Sequence, residues 1–119
     1  MKIRVCIYSR VSKENGDFQR QVDELNRYSV EKGYNVVDVI SEKVSGGVKN
    51  DERPGLLKMM NLVRQNKVDK VLVWEASRIS RISLEAAKIV QELNENKVSL
   101  YIKNFNLETL DEKGNVDPM

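Results

Sequence analysis

The chain has 119 residues, 40% of them hydrophobic and 32% charged, with 20 Lys and Arg against 18 Asp and Glu. That is one domain's length with enough apolar residues for a core, and a charge balance too even to announce a polyanionic partner by composition alone. No histidine and a single cysteine, Cys6, exclude a Ser-His-Asp triad, a His/Cys zinc cluster and an internal disulfide.

Taken in chain order, the apolar run IRVCIY at residues 3–8 predicts a short buried strand, with Cys6 as a small core residue. A lone thiol of this kind fits a reducing, cytoplasmic setting. The apolar part of the amino terminus is too short for a signal peptide and flows directly into the strand pattern. Residues 17–32 turn helical: Phe18, Val22 and Leu25 recur at i, i+4 and i+7, and Gly33 stands where a helix would stop. YNVVDVI at residues 34–40 is rich in β-branched residues and predicts a second strand. A polar loop with Gly46-Gly47 follows over 41–53, and Pro54 opens a helix carrying Leu56, Met60 and Val63 to about residue 66.

The run DKVLVW at residues 69–74 predicts a third strand, EASRISR at 75–81 a polar loop, and Ile82, Ala86, Ile89 and Leu93 a third helix to about residue 96. VSLYI at 98–102 predicts a fourth strand, and the tail has room for one short edge strand near 104–108. No run approaches the ~20 apolar residues that would span a membrane. Alternating strands and helices predict an α/β fold, a three-layer α/β/α sandwich with a mostly parallel sheet of four to five strands.

In such a sheet, ligands gather beyond the carboxyl ends of the strands. The loops there are 9–16, 41–53 and 75–81, and they carry Arg10 and Ser12, then Ser45 and Arg53, then Arg78 and Arg81. A guanidinium is a planar, permanently charged fork that matches phosphate oxygens. Several around one phosphate would offset the charge that grows in phosphoryl transfer, without a metal or another cofactor, and Ser12 would then be the nucleophile. Spacing alone leaves the plainer readings in front: surface salt bridges for the arginines, and a turn or helix cap for Ser12. Neither GxGxxG nor GxxxxGK[ST] occurs, so Gly46-Gly47 is no nucleotide fingerprint.

YSRVS near the amino terminus, Gln21, EKVSGG…ERPGL in the middle and VWEASRISR later, in this order, resemble the catalytic domain of the serine recombinases, the resolvase and DNA-invertase family. The resemblance covers nearly the whole chain. It implies a resolvase-like fold and serine attack on a DNA phosphodiester, leaving a 5′-phosphoseryl link and a free 3′-hydroxyl, then strand exchange and religation without a cofactor or metal. By resemblance Ser12 is the nucleophile, Arg10 contacts the scissile phosphate, and Arg53, Arg78 and Arg81 complete the active-site arginines. Gln21 matches a glutamine that helps organise the site, Ser45 lies in the SG loop, and Glu42 stands where the family often has an acidic residue.

Two departures stand out. Ser77 occupies the place of the aspartate that usually precedes the first arginine of the third motif, and Leu62 the place of a lysine found in some members. Ser77 keeps open an alternative: a binding or regulatory module of the same fold without cleavage activity. The resemblance further implies that residues 1–119 form the catalytic domain of a longer protein, in which a dimerisation helix and a DNA-binding domain follow a segment like VDPM. DNA is then the partner, met weakly by this domain alone, with self-association to a dimer and to a tetramer in synapsis, and no membrane.

Overall fold

The computed structural model describes residues 2–11, 19–43, 53–74, 83–103 and 107–109. Among these residues, five strands and three helices run in the order β1 (Arg4–Val11), α1 (Gln19–Lys32), β2 (Asn35–Lys43), α2 (Pro54–Arg64), β3 (Lys70–Val73), α3 (Ser83–Glu95), β4 (Ser99–Ile102) and β5 (Leu107–Glu108). They form one sheet in the order β2-β1-β3-β4-β5. The first four strands are parallel, and β5 returns antiparallel to β4, with Tyr101 opposite Glu108. The expected α/β/α sandwich is therefore present, with its antiparallel edge.

The layers follow from strand alternation, which sends successive side chains to opposite faces. On β1, Val5 and Ile7 meet Leu25 of α1, together with Leu72 and Tyr101. Cys6 and Tyr8 point the other way, into the larger core that α2 fills with Leu56, Met59, Met60 and Val63 and α3 with Ile89 and Leu93. α2 thus buries the stripe that its periodicity predicts, and of the stripe predicted for α1, Val22 and Leu25 are buried. Phe18, Ile82 and Ala86 lie outside the residues whose side chains are described.

Two strand ends run three residues past the sequence expectation. β1 runs on through Ser9, Arg10 and Val11 rather than ending in a loop at residue 9, and β2 continues to Lys43 rather than stopping at 40. The reason is mutual pairing: Ser9, Arg10 and Val11 sit in register with Ser41, Glu42 and Lys43. A ladder satisfies both backbones regardless of side-chain polarity. A register shift between Val5 and Cys6 gives β2 an extra residue there, so Val5 faces Val36 but Cys6 faces Asp38.

All three helices end alike. Gly33, Asn66 and Lys97 take positive φ of 74°, 56° and 59°. In each case the following residue's N–H returns to a carbonyl five residues back: Tyr34 to Ser29 at 2.9 Å, Lys67 to Leu62 at 3.0 Å, Val98 to Leu93 at 2.9 Å. This is the Schellman ending, which satisfies the last carbonyls while turning the chain back into the sheet.

The strand order fixes where a site belongs. The chain moves from β1 out to β2, then crosses back to β3 on β1's other side. The crevice beyond the carboxyl ends of β1 and β3 is the topological switch point.

Candidate active site

Residues from the middle of β1, the carboxyl end of β2 and the amino terminus of α2 meet in a buried polar cluster. Arg53 is the residue before Pro54, extended at φ −118° and ψ 97°, and its carbonyl accepts the first helical bond, from Leu57 N–H at 3.0 Å. Pro54 suits this first position, where its missing N–H is not needed. The Arg53 side chain turns inward and is 0% exposed, as is Tyr8 on β1, while Glu42 on β2 is 8% exposed.

The contacts among them form a chain of hydrogen bonds. Arg53 Nη2 donates to the Tyr8 hydroxyl, and that hydroxyl donates to Glu42 Oε2 at 2.5 Å. Arg53 Nε lies 3.6 Å from the same carboxylate oxygen. The other oxygen, Oε1, accepts the Gly55 N–H at 2.6 Å. That N–H belongs to the first turn of α2, so a carboxylate from a neighbouring strand does the work of an N-cap and sits at the positive end of the helix dipole. The approach is close enough that a Cβ on Gly55 would lie 2.9 Å from Glu42 Cδ. Burial pushes the Tyr8 phenol well above its ordinary pKa, and its bond to Glu42 pushes the same way. It stays a neutral hydroxyl, able to accept and donate at once.

Of the sequence-predicted residues, the structure brings Glu42 and Arg53 together. Glu42 stands on β2 rather than in a loop, and Arg53 is buried rather than displayed at a loop exit. Arg10 lies on β1 in register with Glu42. Gln21 is in the first turns of α1, where its Oε1 accepts the buried Ser9 hydroxyl at 3.1 Å. Ser12, Ser45, Arg78 and Arg81 lie outside the described residues; so does Ser77.

Sequence reasoning passed over Tyr8, Ser9 and Gly55. Signals existed for two of them. A tyrosine in a strand of small and β-branched apolar residues must find a partner for its hydroxyl. A glycine one residue inside a helix start marks close backbone approach. Among the described residues no group of three or more His, Cys, Asp or Glu is placed to hold a metal, and no helix is long and apolar enough to cross a membrane.

A mostly parallel sheet flanked by helices, with a buried Tyr–Glu–Arg cluster where β1, β2 and the start of α2 meet, defines an α/β domain with a buried polar cluster at one end of its sheet. Residues 5–117 match the family described as the resolvase N-terminal domain. The chain belongs to that family. It is 33% identical over 96 residues to the transposon Tn917 resolvase of Enterococcus faecalis, a match covering 78% of this chain and 47% of the relative. It thus spans about half the length of the curated relatives it matches. Among solved structures it is similar to the N-terminal catalytic domain of TP901-1 integrase, with a TM-score of 0.82 and 28% identity, covering 93% of this chain and 85% of that one. It is likewise similar to the C-terminal catalytic domain of ISC1926 TnpA, an IS607-like serine recombinase, with a TM-score of 0.77, 35% identity, and coverage of 85% and 67%.

Proposed function

We propose that this chain is the catalytic unit of a site-specific DNA recombinase that cuts and rejoins strands through a serine. The Ser12 hydroxyl oxygen attacks a DNA phosphodiester. A bond forms from Ser12 Oγ to phosphorus, the bond to the 3′ oxygen breaks, and the proton from Ser12 ends on the released 3′-hydroxyl. Religation is the reverse, with a 3′-hydroxyl from the exchanged strand displacing the serine. One phosphoester replaces another at each step, so no external energy source enters the balance.

Arg10, Arg53, Arg78 and Arg81 are the arginines proposed to gather at the phosphate and stabilise the charge of its transition state. Gln21, Ser45 and Glu42 are proposed as supporting members of the site. The observation that carries the reading is the family match over residues 5–117, which takes in all of these residues. The strand order supports it, because β1 and β3 flank the switch point, Ser12 follows β1 in sequence, and Arg78 and Arg81 follow β3.

The partners proposed are DNA and further copies of the chain, dimeric on each site and tetrameric in synapsis, in the cytoplasm. Much of the DNA affinity is assigned to the further length that the relatives possess, since phosphate contacts dominate such affinity and this chain's net charge is only +2.

The test is a detergent-stopped reaction of the full-length protein with DNA from the junction of its native element. Wild type should give a protein–DNA adduct on the 5′ side of the break, with a 3′-hydroxyl that a polymerase extends, and Ser12→Ala should give none. An adduct that survives Ser12→Ala moves the nucleophile elsewhere. DNA binding without any adduct favours the non-cleaving module, and makes Ser77→Asp the first restoring variant to build.

A further inference from the structure

We propose that Tyr8 and Glu42 are positioning residues of this site: they fix Arg53 and the first turn of α2 as one buried unit that aligns the site for strand cleavage. The proposal rests on the recombinase reading for its kinetic consequence, and on the geometry of the cluster for its structural one.

Arg53 is a long, flexible side chain at the start of a helix, and free in water its guanidinium would sample many rotamers. Here it is wholly buried, and its Nη2 donates to Tyr8. The phenol passes that constraint on, since the hydroxyl that accepts from Arg53 also donates to Glu42. Glu42 is held in turn by the Gly55 N–H, on its second oxygen. Three elements therefore share one carboxylate: β2 supplies it, β1 reaches it through Tyr8, and α2 reaches it through Gly55, with Arg53 just before the helix beside it.

The consequence follows from chain connectivity. Arg10 and Ser12 come two and four residues after Tyr8. The cluster therefore ties the strand that leads to Ser12 directly to the helix start that bears Arg53. Displacing a reacting group by about 1 Å costs an enzyme on the order of a hundredfold in rate. An anchor that couples these two segments therefore acts on chemistry even if neither Tyr8 nor Glu42 touches DNA.

A filler role and a positioning role predict different results for Tyr8→Phe, which keeps the ring and deletes one oxygen. The full-length protein is compared as wild type, Tyr8→Phe, Gly55→Ala and the double variant. The readouts are single-turnover adduct formation, DNA affinity and thermal stability. Positioning predicts that Tyr8→Phe slows adduct formation by about tenfold or more while DNA affinity stays within about twofold. Gly55→Ala, which pushes the Glu42 carboxylate without altering any charge, should slow it too. Because both act through Glu42, the double variant should be slowed less than the product of the two. Adduct formation at the wild-type rate in Tyr8→Phe overturns the proposal, as does a loss that merely tracks unfolded protein or lost DNA binding.

A second measurement is independent of recombination. In ¹⁵N NMR of this domain, Arg53 should show a guanidinium with slow exchange and restricted rotation that Tyr8→Phe abolishes. If wild type forms no adduct at all, the recombinase reading fails, and the NMR signal still decides the structural half. An Arg53 signal unchanged in Tyr8→Phe overturns the positioning role even if the adduct forms.

Discussion

Gly55 stands in the first turn of α2, where alanine would ordinarily favour a helix by about 1 kcal/mol. An alanine Cβ would instead meet the Glu42 carboxyl group at 2.9–3.1 Å, a group that is itself held by Tyr8 and the Gly55 amide. The far end of a flexible side chain would yield cheaply, but this one is fixed. Gly55→Ala should therefore destabilise the domain by roughly 1–3 kcal/mol despite its better helix propensity, read as a lower denaturant midpoint. A rise in the midpoint would show that Glu42 moves aside freely. The same residues show how far sequence reading reaches at this scale. Glu42 and Arg53 were each marked as candidate site residues by the family resemblance of the motifs around them. Their contact through Tyr8 was not, because it joins positions separated by 34 and 45 residues in sequence. No periodicity encodes a pairing of that kind; it emerges only when β1, β2 and α2 pack.

At the scale of elements, the three matched helix endings make a cleaner experiment. Gly33 occupies the left-handed position without penalty, Asn66 tolerates it, and Lys97 holds it against the clash between its Cβ and the backbone. Lys97→Gly should stabilise the domain by up to about 1 kcal/mol, seen as a higher denaturant midpoint with an unchanged slope. Destabilisation would mean that the exposed lysine makes a contact worth more than the strain.

Gly33 was legible as a stop in the sequence, while Lys97 was not, since nothing about a lysine announces positive φ. The strand ends were misread for a related reason. Ser9, Arg10, Ser41 and Glu42 look like loop residues because they are polar, yet the β1–β2 ladder carries them within the sheet. The edge strand near 104–108 was anticipated, but its two paired residues, Leu107 and Glu108, depend on distant supports. Thr109 Oγ1 accepts the Leu100 N–H at 2.9 Å, and the largely buried Lys70 donates to Glu108 at 2.9 Å and to Tyr34 at 3.0 Å. Burial works against the Lys70 ammonium, but these two bonds hold its pKa above the ordinary value. That tie is complete at neutral pH and is lost only as pH rises through the raised value.

For the whole molecule, the fold was the most legible level, because alternating apolar strands and amphipathic helices admit few arrangements. What ties neighbouring elements together is less visible in sequence. Arg4 at the start of β1 forms a two-pronged bond to Asp69 before β3, with Nη2 to Oδ1 at 2.8 Å and Nε to Oδ2 at 3.1 Å. Arg64 on α2 pairs likewise with Glu92 on α3. The hydrogen bonds from Arg4 hold the Asp69 carboxyl below its ordinary pKa, and those from Arg64 do the same for Glu92. A carboxylate depressed in the folded state adds stability above its unfolded pKa, near 3.8 for Asp69 and 4.5 for Glu92, and loses it as pH falls through the folded value. Stability should therefore fall on acidification below about pH 4.5, and Asp69→Asn with Glu92→Gln should flatten that fall. Both pairs are partly exposed, so added salt should shrink the difference. An acid limb of equal steepness in the double variant would assign acid sensitivity to other carboxylates.

The claim on which the whole account turns is that β1 leads the chain to a nucleophilic serine. The most direct measurement is to digest the trapped protein–DNA adduct with nuclease and protease and locate the nucleotide by mass spectrometry. The account predicts a peptide carrying a 5′-linked nucleotide on Ser12. A nucleotide on any other side chain, or on the 3′ side of the break, would contradict it.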